Sequence, residues 1–183
     1  METLKILRLA FAMFAAFFLA SCSSDEPQWA DPEAHDKTEQ LRAQYTPLIV
    51  GTWHYEKTIE KQRAFEQLTF NDDGTLSGRR KWQSRQVVTI NGQEQYTDWE
   101  EVPDMNGTFT GTWSLVWERN MNGVGENRLI LLADWDNEAN PYIAYSHNPL
   151  FGYADATNLQ FAGHWQNSDG WTIYKRGEAE PSF

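Results

Sequence analysis

The sequence contains a single cysteine, Cys22, among its 183 residues. Without a second thiol, no disulfide can form within one copy of the chain. Basic residues are also scarce. The sequence has 15 Lys and Arg but 26 Asp and Glu, which gives a formal net charge of −11. An acidic surface of this kind repels nucleic acid and anionic lipid headgroups, so the sequence predicts no nucleic-acid partner.

The apolar stretch Leu9–Ala20 is too short for a transmembrane helix, which needs about 20 apolar residues. Lys5 and Arg8 precede it, and a basic segment followed by a short apolar segment is typical of an export signal. We therefore predict that residues 1–21 are a signal peptide that is absent from the mature protein. Its removal also takes away Glu2 and changes the formal net charge from −11 to −12.

The segment Leu19-Ala20-Ser21-Cys22 resembles the lipobox of bacterial lipoproteins. The resemblance implies cleavage before Cys22 and acylation of its thiol, with palmitate as a typical chain, so that the membrane is a partner through this anchor. Each buried methylene contributes about 0.8 kcal/mol, so two or three chains hold far better than one. The alternatives are a chance cysteine at an ordinary cleavage site and a lone free thiol. We predict lipid attachment at Cys22 and a location in the bacterial cell envelope, at the outer membrane, facing the periplasm or the cell surface.

Residues 22–30 are predicted to be a tether, because the segment after the cysteine is small, acidic and without periodicity. Its Ser-Ser-Asp-Glu resembles the acidic export signal of surface lipoproteins in the Bacteroidota. An ordinary solvated linker is the alternative.

A short helix is predicted after the tether. Asp31-Pro32-Glu33 supplies an N-cap, a proline at the first helical position and an acidic first turn. We predict the helix over 32–45, with Pro47 ending it. A chain of this length suits one domain, which we place at 31–183.

Beyond the helix, apolar and polar residues alternate with a period of two. In the segment GTFTGTWSLVWE, Phe109, Trp113 and Trp117 share one face, as in a strand with one apolar side. Turn dipeptides at Asp73-Gly74 and Asn91-Gly92 separate such segments. Further turns are predicted at Asn122-Gly123 and at 167–170. The predicted strands lie near 49–58, 64–71, 75–90, 94–100, 107–118, 127–135, 142–146, 158–165 and 170–176.

The predicted fold class is all-β, an up-and-down antiparallel barrel of about eight strands behind the short helix. Periodicity alone leaves a β-sandwich open as the alternative. The tripeptide Gly-x-Trp ends at Trp53, Trp113 and Trp165. In a small barrel the glycine lets a strand bend, and the indole two residues later can plug one end. The alternative is a set of ordinary core tryptophans beside strand glycines.

The segments LIVGTWHYEK and LTFNDDGTLSG resemble the first strand and first hairpin of the lipocalin-like domain of Bacteroidota lipoproteins. GTFTGTWSLVWE and NLQFAGHWQNSDGWTIYKR are similar to its middle and final strands, so the resemblance covers residues 48–176. It implies a calycin-like barrel and a cation stacked on the first tryptophan. Lys175 and Arg176 are the candidates for stacking on Trp53, with a cation–π energy of about 0.5–2 kcal/mol.

The sequence lacks the motifs of common enzymes, namely Gly-x-Ser-x-Gly, a phosphate loop and paired helical histidines. The histidines His35, His54, His147 and His164 are scattered, and we interpret them as solvated rather than metal-binding. His54 and His164 adjoin Gly-x-Trp tryptophans and are predicted to face away from them. The sequence therefore predicts no enzyme, no cofactor and no metal.

Two charged segments have alternative interpretations. Asp134, Asp136 and Glu138 alternate as calcium ligands do, but an EF-hand would need glycine and glutamate where Ala139 and Tyr145 stand. We predict a solvated turn there, with an irregular calcium loop as the alternative. The basic cluster comprises Arg79, Arg80, Lys81 and Arg85. We predict that it balances nearby acidic residues, the alternative being contact with an anionic partner or ligand headgroup.

The leading functional hypothesis is a lipid-anchored binding module whose barrel holds a small apolar or amphipathic ligand. The predicted inward and ligand-binding side chains are Trp53, Tyr55, Trp82, Phe109, Trp113, Trp117, Leu131 and Trp165. One alternative is a filled barrel that serves as an accessory or structural subunit of an outer-membrane or surface complex. Another is glycan binding through exposed rings. The candidates for glycan binding are Trp29, Trp99, Trp135 and Tyr142.

Overall fold

The computed structural model describes residues 30–136, 144–162 and 170–183. The predicted signal peptide, most of the tether and Cys22 lie outside these ranges. So do several other residues named above, which are Trp29, Glu138, Tyr142, His164 and Trp165. Residues Glu33–Phe183 form one compact unit.

One helix, α1 (Pro32–Ile49), precedes the strands. The strands are β1 (Gly51–Thr58), β2 (Gln62–Phe70), β3 (Thr75–Ser84), β4 (Val87–Ile90), β5 (Gln93–Tyr96), β6 (Glu100–Glu101), β7 (Gly107–Arg119), β8 (Gly125–Asp136), β9 (Ala144–His147), β10 (Phe151–Ala154), β11 (Asn158–Ala162) and β12 (Trp171–Arg176). A 3₁₀ turn at Pro103–Met105 lies between β6 and β7.

The main sheet is antiparallel and wraps into a nearly closed barrel of eight strands. Around the barrel, β11 is followed by β12, β1, β2, β3, β7 and β8. At the two edges of this series, β8 also pairs with β9 and β11 also pairs with β10. An isolated β-bridge joins Arg128 of β8 to Leu150, the residue before β10. The bent segment made of β9 and β10 therefore joins the two edges. This confirms the predicted up-and-down barrel with a leading helix.

The strand register decides which side chains enter the barrel. Trp53 lies across from Leu68 on β2, and Trp113 of β7 lies across from Leu131 on β8. Their face is filled with buried apolar side chains at the end that α1 covers, which we call the helix end. The core residues of this end are Leu41, Ile49, Trp53, Leu68, Phe70, Leu76, Trp113, Leu115, Leu129 and Leu131. We call the opposite end, where β1 ends and β2 begins, the distal end.

Tertiary contacts fix α1 across the helix end. Arg42 Nε donates to the carbonyl of Leu115 at 2.9 Å, and Trp53 Nε1 donates to the carbonyl of Ile49 at 2.6 Å. Tyr45 packs edge-on against Phe151 with ring centroids 4.9 Å apart. These contacts act on the last turns of the helix. Because they hold the chain helical past Pro47, the predicted end of the helix at 45 is wrong.

Two strand predictions also need correction. The predicted strand 75–90 is broken after Ser84, and its second half pairs with β5 as a separate hairpin around Asn91-Gly92. Both turn residues have a positive φ, 53° and 79°, as the tight two-residue turn of a β-hairpin requires. Strand β10 was not predicted. It is four residues long and contains Gly152, so it carries no alternating pattern.

The β4–β5 hairpin is attached to the barrel by a column of stacked rings and guanidinium groups. Arg85 Cζ lies 4.1 Å from the centroid of the Tyr96 ring and 4.4 Å from that of Trp99. Arg63 Cζ covers Trp99 at 4.7 Å and Phe183 at 4.5 Å. The column thus joins the loop after the hairpin to β2 and to the end of the chain.

Replacing Arg85 with Ala is expected to loosen this hairpin while leaving the barrel folded. Each cation–π contact at an exposed site contributes about 0.5–1 kcal/mol, so amide exchange over β4 and β5 should accelerate about fivefold or more. Native-state hydrogen exchange measures the effect. Arg119→Ala is the matched control, because Arg119 lies over the Trp117 ring and does not touch the hairpin. Equal exchange rates in both variants would contradict the column's role.

The last segment of the chain, residues 177–183, lies along the outer face of the barrel. Arg79 donates to the carbonyl of Ala179 at 2.6 Å and pairs with Glu180, which lowers the pKa of that carboxyl group. Lys81 donates to the carbonyl of Phe183 at 2.6 Å. The outward-facing ring of Phe65 is only 1% exposed, because this face is covered.

Candidate ligand-binding site

The barrel interior holds a charged pair between its helix end and its distal end. Glu66 on β2 lies directly across from Arg80 on β3, and both face inward. Their side chains are 0% and 8% exposed, and Arg80 Nη2 is 2.8 Å from Glu66 Oε2. Arg80 Nε also donates to this oxygen at 2.8 Å. The other oxygen accepts the Tyr174 hydroxyl at 2.6 Å. We call Glu66, Arg80 and Tyr174 the polar cluster.

The polar cluster is stable because its charges satisfy one another. Moving a single ionised side chain out of water costs several kcal/mol, and only close, hydrogen-bonded pairing compensates for it. Both oxygens of Glu66 are bound, one by a guanidinium group and one by a phenol. The cluster is therefore a pre-formed arrangement of charge inside a low-dielectric interior, where polar interactions are stronger than in water.

Aromatic rings form the walls around this cluster. Phe109 and Trp135 stack with centroids 5.4 Å apart and an interplanar angle of 15°. Arg80 Cζ lies 5.1 Å from the centroid of Trp135. Phe109 occupies the space that a side chain at Gly78 would need, since a Cβ there would lie 2.3 Å from the ring. On the opposite side, Tyr174 stacks on Phe161 at 4.8 Å.

Further polar groups lie beside the cluster. Tyr55 is across from Glu66 on β1 and its ring lies 5.4 Å from that of Tyr174. Burial raises the pKa of the Tyr55 hydroxyl, so this group is protonated at neutral pH and can donate a hydrogen bond. Thr172 is 0% exposed, and its Oγ1 has no hydrogen-bond partner in the described part of the chain. A buried hydroxyl without a hydrogen-bond partner lowers the stability of the fold.

No family model, curated protein or solved structure matches the chain. The function of the site is therefore inferred from its own residues. The chemistry available there is hydrogen bonding and charge recognition between aromatic walls.

The predicted ligand-binding residues fall into two groups in the structure. Tyr55 and Phe109 adjoin the polar cluster, and Trp82 lies on the same interior face beside Ala64, nearer the distal end. Trp53, Trp113 and Trp117 lie instead at the helix end, where Leu131 is also buried. The structure therefore brings only the first group together with the charged pair, while Trp165 lies outside the described residues.

The helix-end tryptophans have structural contacts of their own. Trp113 donates from Nε1 to the carbonyl of Asn71 at 2.9 Å and packs edge-on against Phe70. Trp117 carries the Lys37 ammonium 4.4 Å above its ring. Arg176 Cζ stacks 4.2 Å from the centroid of Trp53, which confirms one of the two predicted stacking cations. Arg176 also donates to the carbonyls of Leu48 and Val50. These contacts link β12 to the end of α1.

Two of the glycan-binding candidates do not offer open ring faces. Trp135 is 7% exposed and points into the barrel, so the prediction of an exposed ring is wrong for this residue. The Trp99 ring carries two guanidinium groups, those of Arg63 and Arg85. The remaining candidates, Trp29 and Tyr142, lie outside the described residues.

The basic cluster is divided by strand alternation. Arg79 and Lys81 face outward and pair with Glu180 and Glu101, whereas Arg80 faces inward and pairs with Glu66. The prediction that acidic neighbours balance the cluster is confirmed for these three cations. The placement of Arg80 inside the barrel was not predicted.

The scattered histidines and the acidic run show no metal site within the described ranges. His54 faces outward, as predicted, with Nδ1 2.9 Å from the carbonyl of Gly177. Asp134 and Asp136 belong to β8 and pair with β7, which agrees with the strand predicted near 127–135 and shows that the turn predicted for the acidic run does not begin before residue 137. Across residues 30–136, 144–162 and 170–183, no group of three or more metal-ligating side chains comes together. Nor does any helix in these ranges have the length and apolarity of a membrane span.

Sequence reasoning missed four residues of the site, namely Glu66, Arg80, Thr172 and Tyr174. One signal was available for Glu66. In QRAFEQLTF it shares its face with Ala64, Leu68 and Phe70, and a carboxylate on an otherwise apolar face indicates a buried partner. Strand alternation alone would have paired it with Arg80 once the hairpin turn at Asp73-Gly74 was accepted.

Proposed function

We propose that this chain is a lipid-anchored envelope protein whose lipocalin-like barrel binds a small amphipathic ligand. The observation that carries the proposal is the interior itself, in which a satisfied polar cluster stands among aromatic walls. Binding sites for small molecules combine a predominantly apolar lining with a few fixed polar groups in this way. The lipobox-like segment that ends at Cys22 supports the anchor.

A filled barrel that serves as an accessory subunit is the second candidate. It is favoured by the dense packing at the helix end, where Ile49, Trp53 and Leu115 are at most 1% exposed. The two candidates differ in one measurable respect. A binding protein takes up an aromatic amphiphile at a single saturable site, whereas a filled subunit takes up none.

The anchor is tested by replacing Cys22 with Ala in the full chain. We expect the variant to lose acyl labelling and to leave the membrane fraction, because no other residue can carry the thioether-linked lipid. Metabolic labelling with a palmitate analogue and membrane fractionation measure both effects. Ser23→Ala is the matched control and should keep the label. Acyl labelling of the Cys22→Ala chain would refute the anchor.

A further inference from the structure

One surface on the outside of the barrel is occupied by the chain itself. Residues 177–183, which we call the strap, lie on β1, β2 and β3 without forming a strand or a helix. One backbone hydrogen bond attaches the start of the strap, from the amide of Gly177 to the carbonyl of Thr52 at 2.7 Å. Its other described hydrogen bonds to the barrel all involve side chains of the three strands. A segment held in this way can be exchanged for another segment that offers the same groups, and we call the surface beneath it the strap site.

Two positions of the strap are recognised by charged side chains. Arg79 holds the carboxylate of Glu180 with both terminal nitrogens, Nη2 at 2.7 Å and Nη1 at 3.1 Å. Such a bidentate contact selects a carboxylate by its shape as well as its charge. Glu56 accepts the amide of Ser182 at 3.0 Å and also its hydroxyl. The strap site therefore selects an acidic residue that is followed two positions later by a hydroxyl donor.

A third position of the strap takes an aromatic ring. The Phe183 ring lies 4.5 Å from Arg63 Cζ and 5.3 Å from Lys81 Nζ. Lys81 also donates to the Phe183 carbonyl at 2.6 Å, which fixes the backbone at this position. Phe65, directly across from Lys81 on β2, is a buried apolar side chain on the same face. Cations beside apolar surface favour an aromatic side chain at this position.

The strap uses its site incompletely. The side chain of Glu180 is 80% exposed and that of Arg79 is 37% exposed, and ion pairs so open to water contribute little to stability. Arg79 Nε is buried and has no hydrogen-bond partner among the described residues. The strap therefore opens at a small cost, as weakly held segments do. A carboxylate that also reached this nitrogen would bind Arg79 more tightly than Glu180 does.

We propose that the strap site docks a partner protein, which displaces the strap with an extended acidic segment of its own. The segment that fits has the pattern of Glu180, Ser182 and Phe183, namely a carboxylate, a hydroxyl two residues later and an aromatic ring directly after it. Arginine clusters recognise acidic motifs in this way. The strap is then a competitor that keeps the site covered until such a partner binds.

Charge complementarity supports an acidic partner. Arg63, Arg79 and Lys81 concentrate positive charge on a chain whose formal net charge is −11. Two carboxylates adjoin these cations, since Glu101 lies 3.8 Å from Lys81 and Glu56 binds the hydroxyl position. The acidic remainder of the chain repels an acidic segment, so the attraction is confined to the strap site and determines where the partner binds.

Peptide binding tests the strap site. The full chain is placed in phosphatidylcholine nanodiscs, and fluorescence anisotropy is measured against empty nanodiscs. The probes are two capped peptides with a neutral fluorophore, Gly-Glu-Ala-Glu-Pro-Ser-Phe and the same sequence with Gln in place of both Glu. In the variant Glu180→Gln with Phe183→Ala, we expect the acidic peptide to bind about tenfold more tightly than in the unaltered chain, because the strap competes less well. Equal affinities for the two peptides, or no gain in the variant, would overturn the proposal.

Arg79→Gln locates the binding site when it is added to this variant. It should weaken binding of the acidic peptide about tenfold, because it removes the bidentate contact with the carboxylate. Arg119→Gln is the matched control, since it removes the same charge at the end of β7, where its described partners include Glu33 and Trp117. Melting temperatures verify that both variants are folded. Equal losses in the two variants would mean that the peptide responds to net charge alone and does not bind at the strap site.

The oligomeric state separates a partner protein from a second copy of this chain. We expect the unaltered chain to sediment as a monomer in detergent. A dimer that dissociates in the variant Glu180→Gln with Phe183→Ala would contradict the partner assignment, because a second copy would then supply the segment.

Discussion

Replacing Glu66 with Ala is expected to lower the free energy of unfolding by about 3–5 kcal/mol, the usual cost of removing one partner from a buried ion pair. The substitution leaves the Arg80 guanidinium without the carboxylate that neutralises it, in a position where its side chain is 8% exposed. It also removes the acceptor of the Tyr174 hydroxyl. Urea unfolding followed by Trp fluorescence measures the change.

The double variant Glu66→Met with Arg80→Met is the informative control. Apolar side chains of similar volume replace both charges, and such replacements are often neutral or stabilising. We therefore expect the double variant to be more stable than Glu66→Ala although it carries one more substitution. A double variant as unstable as the single one would show that the charge pairing contributes little, and that packing at these positions dominates.

Replacing Trp53 with Ala is expected to cost about 3–5 kcal/mol, as for other buried tryptophans. The indole is 0% exposed, donates to the carbonyl of Ile49 and carries the Arg176 guanidinium on its face. The loss therefore affects the packing of the core, the end of α1 and the last strand together. Urea unfolding gives the stability, and hydrogen exchange over 32–49 reports whether the helix detaches first.

Trp171→Ala is the control for this variant. Trp171 lies on the neighbouring strand β12, on the outer face and only half buried, so its loss should cost clearly less. Similar losses in the two variants would mean that aromatic area in general, and not the contacts of Trp53, stabilises this part of the barrel.

The sequence predicted the architecture well because its patterns are local. Alternation in 107–118, the Asp73-Gly74 and Asn91-Gly92 turns and the Pro32 helix start each depend on a few neighbouring residues. Local pattern also led to two errors. Pro47 indicated that the helix ends, although contacts with Arg176 and Trp53 keep the chain helical beyond it. Arg80 was grouped with its sequence neighbours, although strand alternation places its side chain on the other side of the sheet.

The candidate site was harder to predict because it is assembled from distant segments. Tyr174 and Glu66 are 108 residues apart in sequence, and no local pattern relates them. Their proximity follows from the pairing of β12 with β1, which periodicity does not specify. The Thr172 hydroxyl, which has no hydrogen-bond partner among the described residues, is likewise visible only once the packing around it is known.

The pairing of β1 with β12 has a consequence for how the protein is made. Trp53 and Arg176 are register partners, so the edge of the first strand stays unpaired until the last strand has been synthesised. Closure of so long a loop is slow, and an unpaired edge is prone to associate with other chains. Any nascent chain that ends before Trp171 exposes an open edge to chaperones and proteases.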